Sequence, residues 1–163
     1  MKSEIRKRIS VFGFVIVGIL AAVKIISDNK SKMDSLKRQA DDNLLQYNMM
    51  NRWTQNLQQN KTVVGWLKAN NYEKVAVYGI GILSNTLIQE LKSGGIQVSY
   101  GIDQNTEKPY MPLDFQVYSP EEHLPEADIV IVTIISAYPT VKTRLETKLD
   151  CPIVSLENIV YNL

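Results

Sequence analysis

A run of apolar residues that stops at two glycines, Val75-Ala-Val-Tyr-Gly-Ile-Gly-Ile-Leu-Ser84, constrains this chain more than any other stretch. The unbroken apolar residues before the glycines fit a strand buried on both faces, and helical spacing of apolar residues begins directly after them. A second such run, Val98-Ser-Tyr-Gly-Ile-Asp103, ends on a carboxylate. Strand, glycine turn, helix, strand and acid in that order make a βαβ unit suited to a nucleotide. The helix N-terminus offers backbone N–H groups to a phosphate, and Asp103 follows Gly81 at about the 20-residue spacing of a ribose-binding acid. In the pattern G-x-G-x-x-G/A the third small position is Ser84, so helix and strand approach slightly less closely. The plainer reading is that Gly79 and Gly81 only turn the chain, while Asp103 opens the polar turn Asp103-Gln-Asn-Thr106.

The alternation continues to the C-terminus. The pattern predicts a strand over 74–78, a helix over 83–93 closed by Gly94-Gly95, and a strand over 96–102. Pro109, Pro112 and Pro120 leave room for one short strand near Phe115 to Tyr118. The continuous apolar run Asp128-Ile-Val-Ile-Val-Thr-Ile134 predicts a buried strand, followed by a helix over 139–149 with Pro139 in its first turn. A last strand over 152–154 and a terminal helix opened by Ser155 complete the set. Strands alternating with helices imply an α/β fold, a small parallel sheet covered by flanking helices.

The N-terminal part reads differently. Met1 to Arg8 is basic, and Ile9 to Ile26 is apolar except for Ser10, the glycines Gly13 and Gly18, and Lys24. As a helix this run rises about 27 Å, near the roughly 30 Å of a bilayer core, so residues 1–30 are expected to form a single-pass membrane anchor. A cleavable signal peptide is the alternative, but Leu20-Ala21-Ala22 lacks a small-x-small cleavage pattern. Basic residues flank both sides, so the positive-inside rule does not fix the orientation. The unpaired Cys151 and a nucleotide site favour a cytoplasmic main domain. Residues 31–60 are rich in Lys, Asp, Gln and Asn, with Met33, Leu36, Ala40, Leu44 and Tyr47 at helical spacing, which predicts a polar helical stalk whose distal part packs on the domain through Trp53 and Leu57. Thr62 is placed to cap a short helix carrying Val63, Val64, Trp66 and Leu67. The domain proper is then residues 61–163.

Charge narrows the partners. Lys and Arg number 18 against 17 Asp and Glu, a balance that gives no global case for a nucleic-acid partner, where a basic face would be expected. One Cys and one His, Cys151 and His123, fall short of the four N/S ligands of a structural zinc site. His123, within Ser119-Pro-Glu-Glu-His-Leu-Pro125, reads as a solvated loop residue. Tyr138-Pro-Thr-Val-Lys142 has the Tyr-x-x-x-Lys spacing of an acid/base pair, but it follows the glycines too closely for the enzymes that use that pair, and no catalytic residue is assigned.

In a sheet of this kind ligands lie beyond the carboxyl ends of the strands, where the strand order reverses. That selects three loops and a set of candidate cofactor-binding residues. Gly79, Gly81, Ile82, Leu83 and Ser84 would cradle phosphate, Asp103 would bind ribose hydroxyls, and Thr133, Ser136 or Tyr138 would touch base or sugar. The charge of Asp103 disfavours a 2′-phosphate, which points to NAD rather than NADP.

Tyr78-Gly-Ile-Gly81, Gly101-Ile-Asp103, Tyr118-Ser-Pro-Glu-Glu122, Asp128-Ile-Val-Ile-Val-Thr133 and Ile153-Val-Ser-Leu-Glu157 resemble small Rossmann-like domains of bacterial surface-polysaccharide systems, including nucleotide-sugar epimerase-like proteins. The resemblance covers about Tyr47 to Leu163. It implies a membrane-tethered module that binds NAD or a nucleotide sugar and serves, with a polysaccharide-biosynthesis protein as partner, as an accessory or regulator in cell-envelope biogenesis. Two alternatives stand beside it: an epimerase or oxidoreductase completed by a partner subunit, and a ligand-free Rossmann scaffold for protein contacts.

Overall fold

The computed structural model describes the backbone of residues 2–106 and 112–163, and the side chains of 20, 22–106 and 112–163. The chain falls into two compact units, Met1–Asn43 and Leu44–Leu163. A continuous helix, α1 (Lys2–Gln58), makes up the described part of the first unit and enters the second. The sequence between Ile26 and Ser31 holds no Gly or Pro, so nothing there interrupts the helical hydrogen bonds.

Among the described residues no helix is long and apolar enough to cross a membrane. That finding overturns the single-pass membrane localisation expected from residues 1–30 and leaves their transmembrane helix unsupported. Most of the run Ile9 to Ile26 lies outside the described side chains, as Pro109 lies outside the described residues.

The second unit is α/β. Its strands β1 (Val75–Tyr78), β2 (Val98–Ile102), β3 (Val117–Tyr118), β4 (Ile129–Val132) and β5 (Ile153–Ser155) form a parallel sheet in the order β3-β2-β1-β4-β5. Strand order reverses between β1 and β4, which is compatible with a Rossmann-like fold. Both central strands are buried along their whole length, as expected of parallel strands with both faces covered. β2 carries a bulge: Val75 pairs with Val98, but Ala76 pairs with Tyr100. The extra residue, exposed Ser99, moves Val98 to one face of the sheet and Tyr100 and Ile102 to the other.

One face is thick. Met49 and Trp53 of α1, α2 (Val63–Ala69), α3 (Ile82–Ser93) and α5 (Leu156–Tyr161) pack there on Val75, Val77, Ile129 and Ile131. The Glu90 carboxylate joins three of these helices. It accepts from Trp53 Nε1 at 2.6 Å and from the Val63 N–H at 2.5 Å. Asn56, which is buried, donates to the Val160 carbonyl at 2.6 Å. The other face carries α4 (Tyr138–Leu145), with Val141 and Leu145 on Ala76, Tyr78, Val130 and Val132, while Leu124 from the β3–β4 connection covers Tyr100.

Three helices end alike. After α1, α2 and α3 the chain turns through a left-handed residue, Asn60 (φ 57°), Asn71 (φ 59°) and Gly95 (φ 77°). Each time the following N–H returns to a carbonyl five residues back: Lys61 to Asn56, Tyr72 to Leu67 and Ile96 to Leu91. These are Schellman caps, which satisfy carbonyls that the helix itself leaves open. Thr62 caps α2 as expected, its Oγ1 accepting from the Gly65 N–H at 2.9 Å. α4 stops at Leu145 rather than near Leu149.

Candidate functional site

The loop after β1 is held internally. Gly79 has φ 88°, and a Cβ there would meet Ile134 Cγ1 at 2.6 Å and Thr133 Oγ1 at 3.0 Å. Glycine is therefore required at 79 by backbone conformation and by the approach of the β4 loop. Gly81 has φ −134° and no atom within 4 Å of an added Cβ, so neither conformation nor packing demands glycine there. The N–H groups in between all have acceptors: Gly79 donates to the Ile102 carbonyl at 2.8 Å, Ile80 to Asp103 Oδ2 at 2.6 Å and Gly81 to Ser84 Oγ at 2.9 Å. Ser84 returns its hydroxyl proton to the Gly81 carbonyl at 2.9 Å. Serine at the third small position thus closes the turn on itself, and it is fully buried. The N–H groups of Ile82, Leu83 and Ser84 form the first turn of α3, where no intrahelical carbonyl reaches them. The Ile82 side chain is exposed, whereas Leu83 points into the thick-face core.

Asp103 sits at the C-terminal end of β2, half-buried. Its backbone N–H donates to the Tyr118 carbonyl at 3.0 Å, which fixes it against β3. Besides Ile80, the carboxylate accepts from the Asn105 N–H at 2.8 Å through Oδ1. A carboxylate has about four acceptor positions, so about two remain for a ligand.

The expected contacts from the loop after β4 are largely engaged elsewhere. Thr133 is buried and its Oγ1 donates to the Gly79 carbonyl at 2.7 Å, stitching β4 to the glycine loop. Tyr138 donates to the Ile153 carbonyl at 3.1 Å, and Lys142 pairs with Glu146 at 3.7 Å, so the Tyr-x-x-x-Lys spacing does not bring hydroxyl and ammonium together. Ser136 is exposed and does not line the cleft between β2 and α4.

That cleft, of about 280 Å³, opens on the thin face at the C-terminal ends of β1 and β2. Tyr78, Asp103 and Gln104 form one side, and Ile134, Ala137, Thr140, Val141 and Arg144 the other. Residues 137, 140, 141 and 144 follow the i, i+3, i+4, i+7 spacing of a single helix face, a signal that is present in the sequence but lies outside the strand-end loops. Arg144 also pairs with Glu121 in the β3–β4 connection, and Lys148 approaches the same carboxylate at 3.8 Å. Two further hollows lie elsewhere. A groove of about 740 Å³ runs along Gly95 to Ser99 at the N-terminal end of β2, and another of about 400 Å³ contains exposed His123 and half-buried Cys151, whose thiol burial holds above its usual pKa. Both lie away from the carboxyl ends of the strands, where sheets of this topology hold ligands. Among the described residues no group of three His, Cys, Asp or Glu side chains is placed to hold a metal.

No family model, curated protein or solved structure matches this chain.

Proposed function

We propose that this protein is a ligand-binding module that takes the nucleoside part of a nucleotide in the cleft between Asp103 and α4. The observation that carries the reading is the cleft's position and lining. It lies at the C-terminal ends of β1 and β2, with one acid, Asp103, across from an apolar wall of Ile134, Ala137 and Val141. The two acceptor positions left on Asp103 suit a ribose diol, and the apolar wall suits a base. A volume of about 280 Å³ is at the small end for ligand sites, which run to about 300–1,000 Å³. It has room for base and ribose, with phosphates extending outward. NAD and nucleotide sugars both carry such a nucleoside end. The accessory role in surface-polysaccharide synthesis belongs to the proposal through the sequence resemblance alone.

The rival reading is a ligand-free scaffold. It is favoured by the glycine loop, whose three N–H groups already have partners within the protein. Thermal denaturation of the full chain with adenosine, NAD and UDP-glucose separates the two. Ligand at a hundred times its Kd adds about 2.7 kcal/mol, a shift of several degrees. Thr140→Phe fills the cleft from an exposed helix position and should abolish the shift while leaving the unliganded Tm near wild type. No shift with any of the three, or a shift unchanged in Thr140→Phe, would leave the scaffold as the better account.

A further inference from the structure

Resting on that reading of the cleft, we infer that Arg144 is the group that reads the anionic part of the ligand, and that Glu121 is a resident counter-ion which the ligand displaces. In folds of this topology phosphate usually meets the glycine loop. Here the loop N–H groups of Gly79, Ile80 and Gly81 are bound to Ile102, Asp103 and Ser84. Freeing the Ile80 N–H would strip Asp103 of a donor and leave its charge less compensated. Asp103 itself repels an anion at that end of the cleft. Among the described residues lining the cleft, Arg144 is the one that carries positive charge.

The present partner of Arg144 holds it weakly. The Glu121 side chain is 74% exposed, and ion pairs so open to water are nearly balanced by hydration. A guanidinium has five donors in a planar fork, and a phosphate accepts two of them side by side with more charge than a carboxylate. The exchange leaves no charge stranded. Glu121 keeps the Lys148 ammonium, now 3.8 Å away, and Lys148 is itself anchored by donating to the Pro120 carbonyl at 2.6 Å. Arg144 lies in the last turn of α4, one turn beyond Thr140 and Val141 on the cleft side, so rotation of its side chain alone can change partners. The structure thus divides recognition between an acid for sugar hydroxyls and a cation, on a different element, for phosphate.

The test is calorimetric titration of the full chain with nucleoside and nucleotide pairs, adenosine with ADP and uridine with UDP. The diphosphate should bind at least tenfold more tightly than its nucleoside, and less so as salt is raised. Arg144→Gln should erase that preference and leave nucleoside affinity within about twofold. Glu121→Gln, which removes the competitor, should tighten diphosphate binding severalfold without changing the nucleoside. Lys148→Gln alters the same surface charge outside the cleft and should leave the ratio between the two unchanged. A diphosphate preference that survives Arg144→Gln would overturn the inference and move the phosphates to the first turn of α3, with the nucleoside reading intact. A ratio that falls equally in Lys148→Gln would reduce Arg144 to a contributor to the general field and overturn it too. Failure of all four compounds to bind the wild type would remove the nucleoside site and the inference together.

Discussion

The two faces of the sheet are built to different depths. On one, three helices and the distal part of α1 enclose a core that runs from Met49 to Val160, tied across by Glu90 and Asn56. On the other, α4 and a loop residue, Leu124, cover the same strands, and the space left between α4 and the end of β2 is the cleft. A sheet needs both faces covered to bury its strands, but only full covering excludes a ligand. The thick face supplies rigidity, and the thin face supplies room.

The largest effect that would test this contrast comes from paired cavities. Leu87 and Leu145 are both fully buried, one on each face. Leu→Ala at buried sites costs about 2–5 kcal/mol, depending on how far the surroundings collapse. Leu87→Ala should fall at the upper end and Leu145→Ala at the lower, measured by denaturant unfolding. Equal costs would break the comparison. Next come the two glycines of the turn after β1. Gly79→Ala forces a left-handed residue, about 1–2 kcal/mol, and adds a clash with Ile134. Gly81→Ala meets open space and should lie within about 0.5 kcal/mol of wild type. Similar losses at both positions would show that the loop is strained as a whole.

A pH series sharpens the thin face further. Tyr100 is buried there, its hydroxyl donating to the Pro125 carbonyl at 2.7 Å, and burial with the nearby Cys151 and Tyr118 pushes its pKa up from 10.0 to about 12. The unfolded phenol loses its proton first, so the unfolded state binds fewer protons across that window and stability falls as pH rises through it. The contribution is complete below about pH 10 and gone above about pH 12. The stability gap between wild type and Tyr100→Phe should therefore narrow as pH rises through that window. A constant gap would mean that the phenol is open to water. The smallest effect belongs to a helix end on the thick side. Asn71→Gly relieves a left-handed residue and should stabilise by a few tenths to about 1 kcal/mol, with no change in ligand response.

Much of the architecture is legible in the sequence because it rests on short-range pattern. Val75–Tyr78 and Ile129–Val132 are apolar without interruption, and such strands belong in the middle of a parallel sheet. Glycine and threonine mark the turn after β1 and the start of α2. Spacing locates Asp103 at the end of β2, yet its bonds to Ile80 and Asn105 depend on how two loops meet. The partners of Thr133 and Tyr138 escape the sequence for the same reason: each hydroxyl donates to a backbone carbonyl that only the meeting of separate chain segments brings near. Thr140 and Arg144 carry no strand-end signal, because the far wall of the cleft is a helix face. The expected membrane anchor rests on an apolar run judged by length and hydropathy, and no described helix meets those requirements.

The bulge at Ser99 bears on how this sequence can change over time. Its side chain is exposed, so most replacements of one residue by another should be silent there. Loss of a single codon there also leaves the core residues of β2 on their own faces. Removing Ser99 would close the bulge and make Val98 and Tyr100 consecutive, and strict alternation places consecutive residues on opposite faces of the sheet, the sides these two already occupy. The position is thus open to substitution and to deletion alike, and a lineage of such proteins should vary at this site in both letter and length.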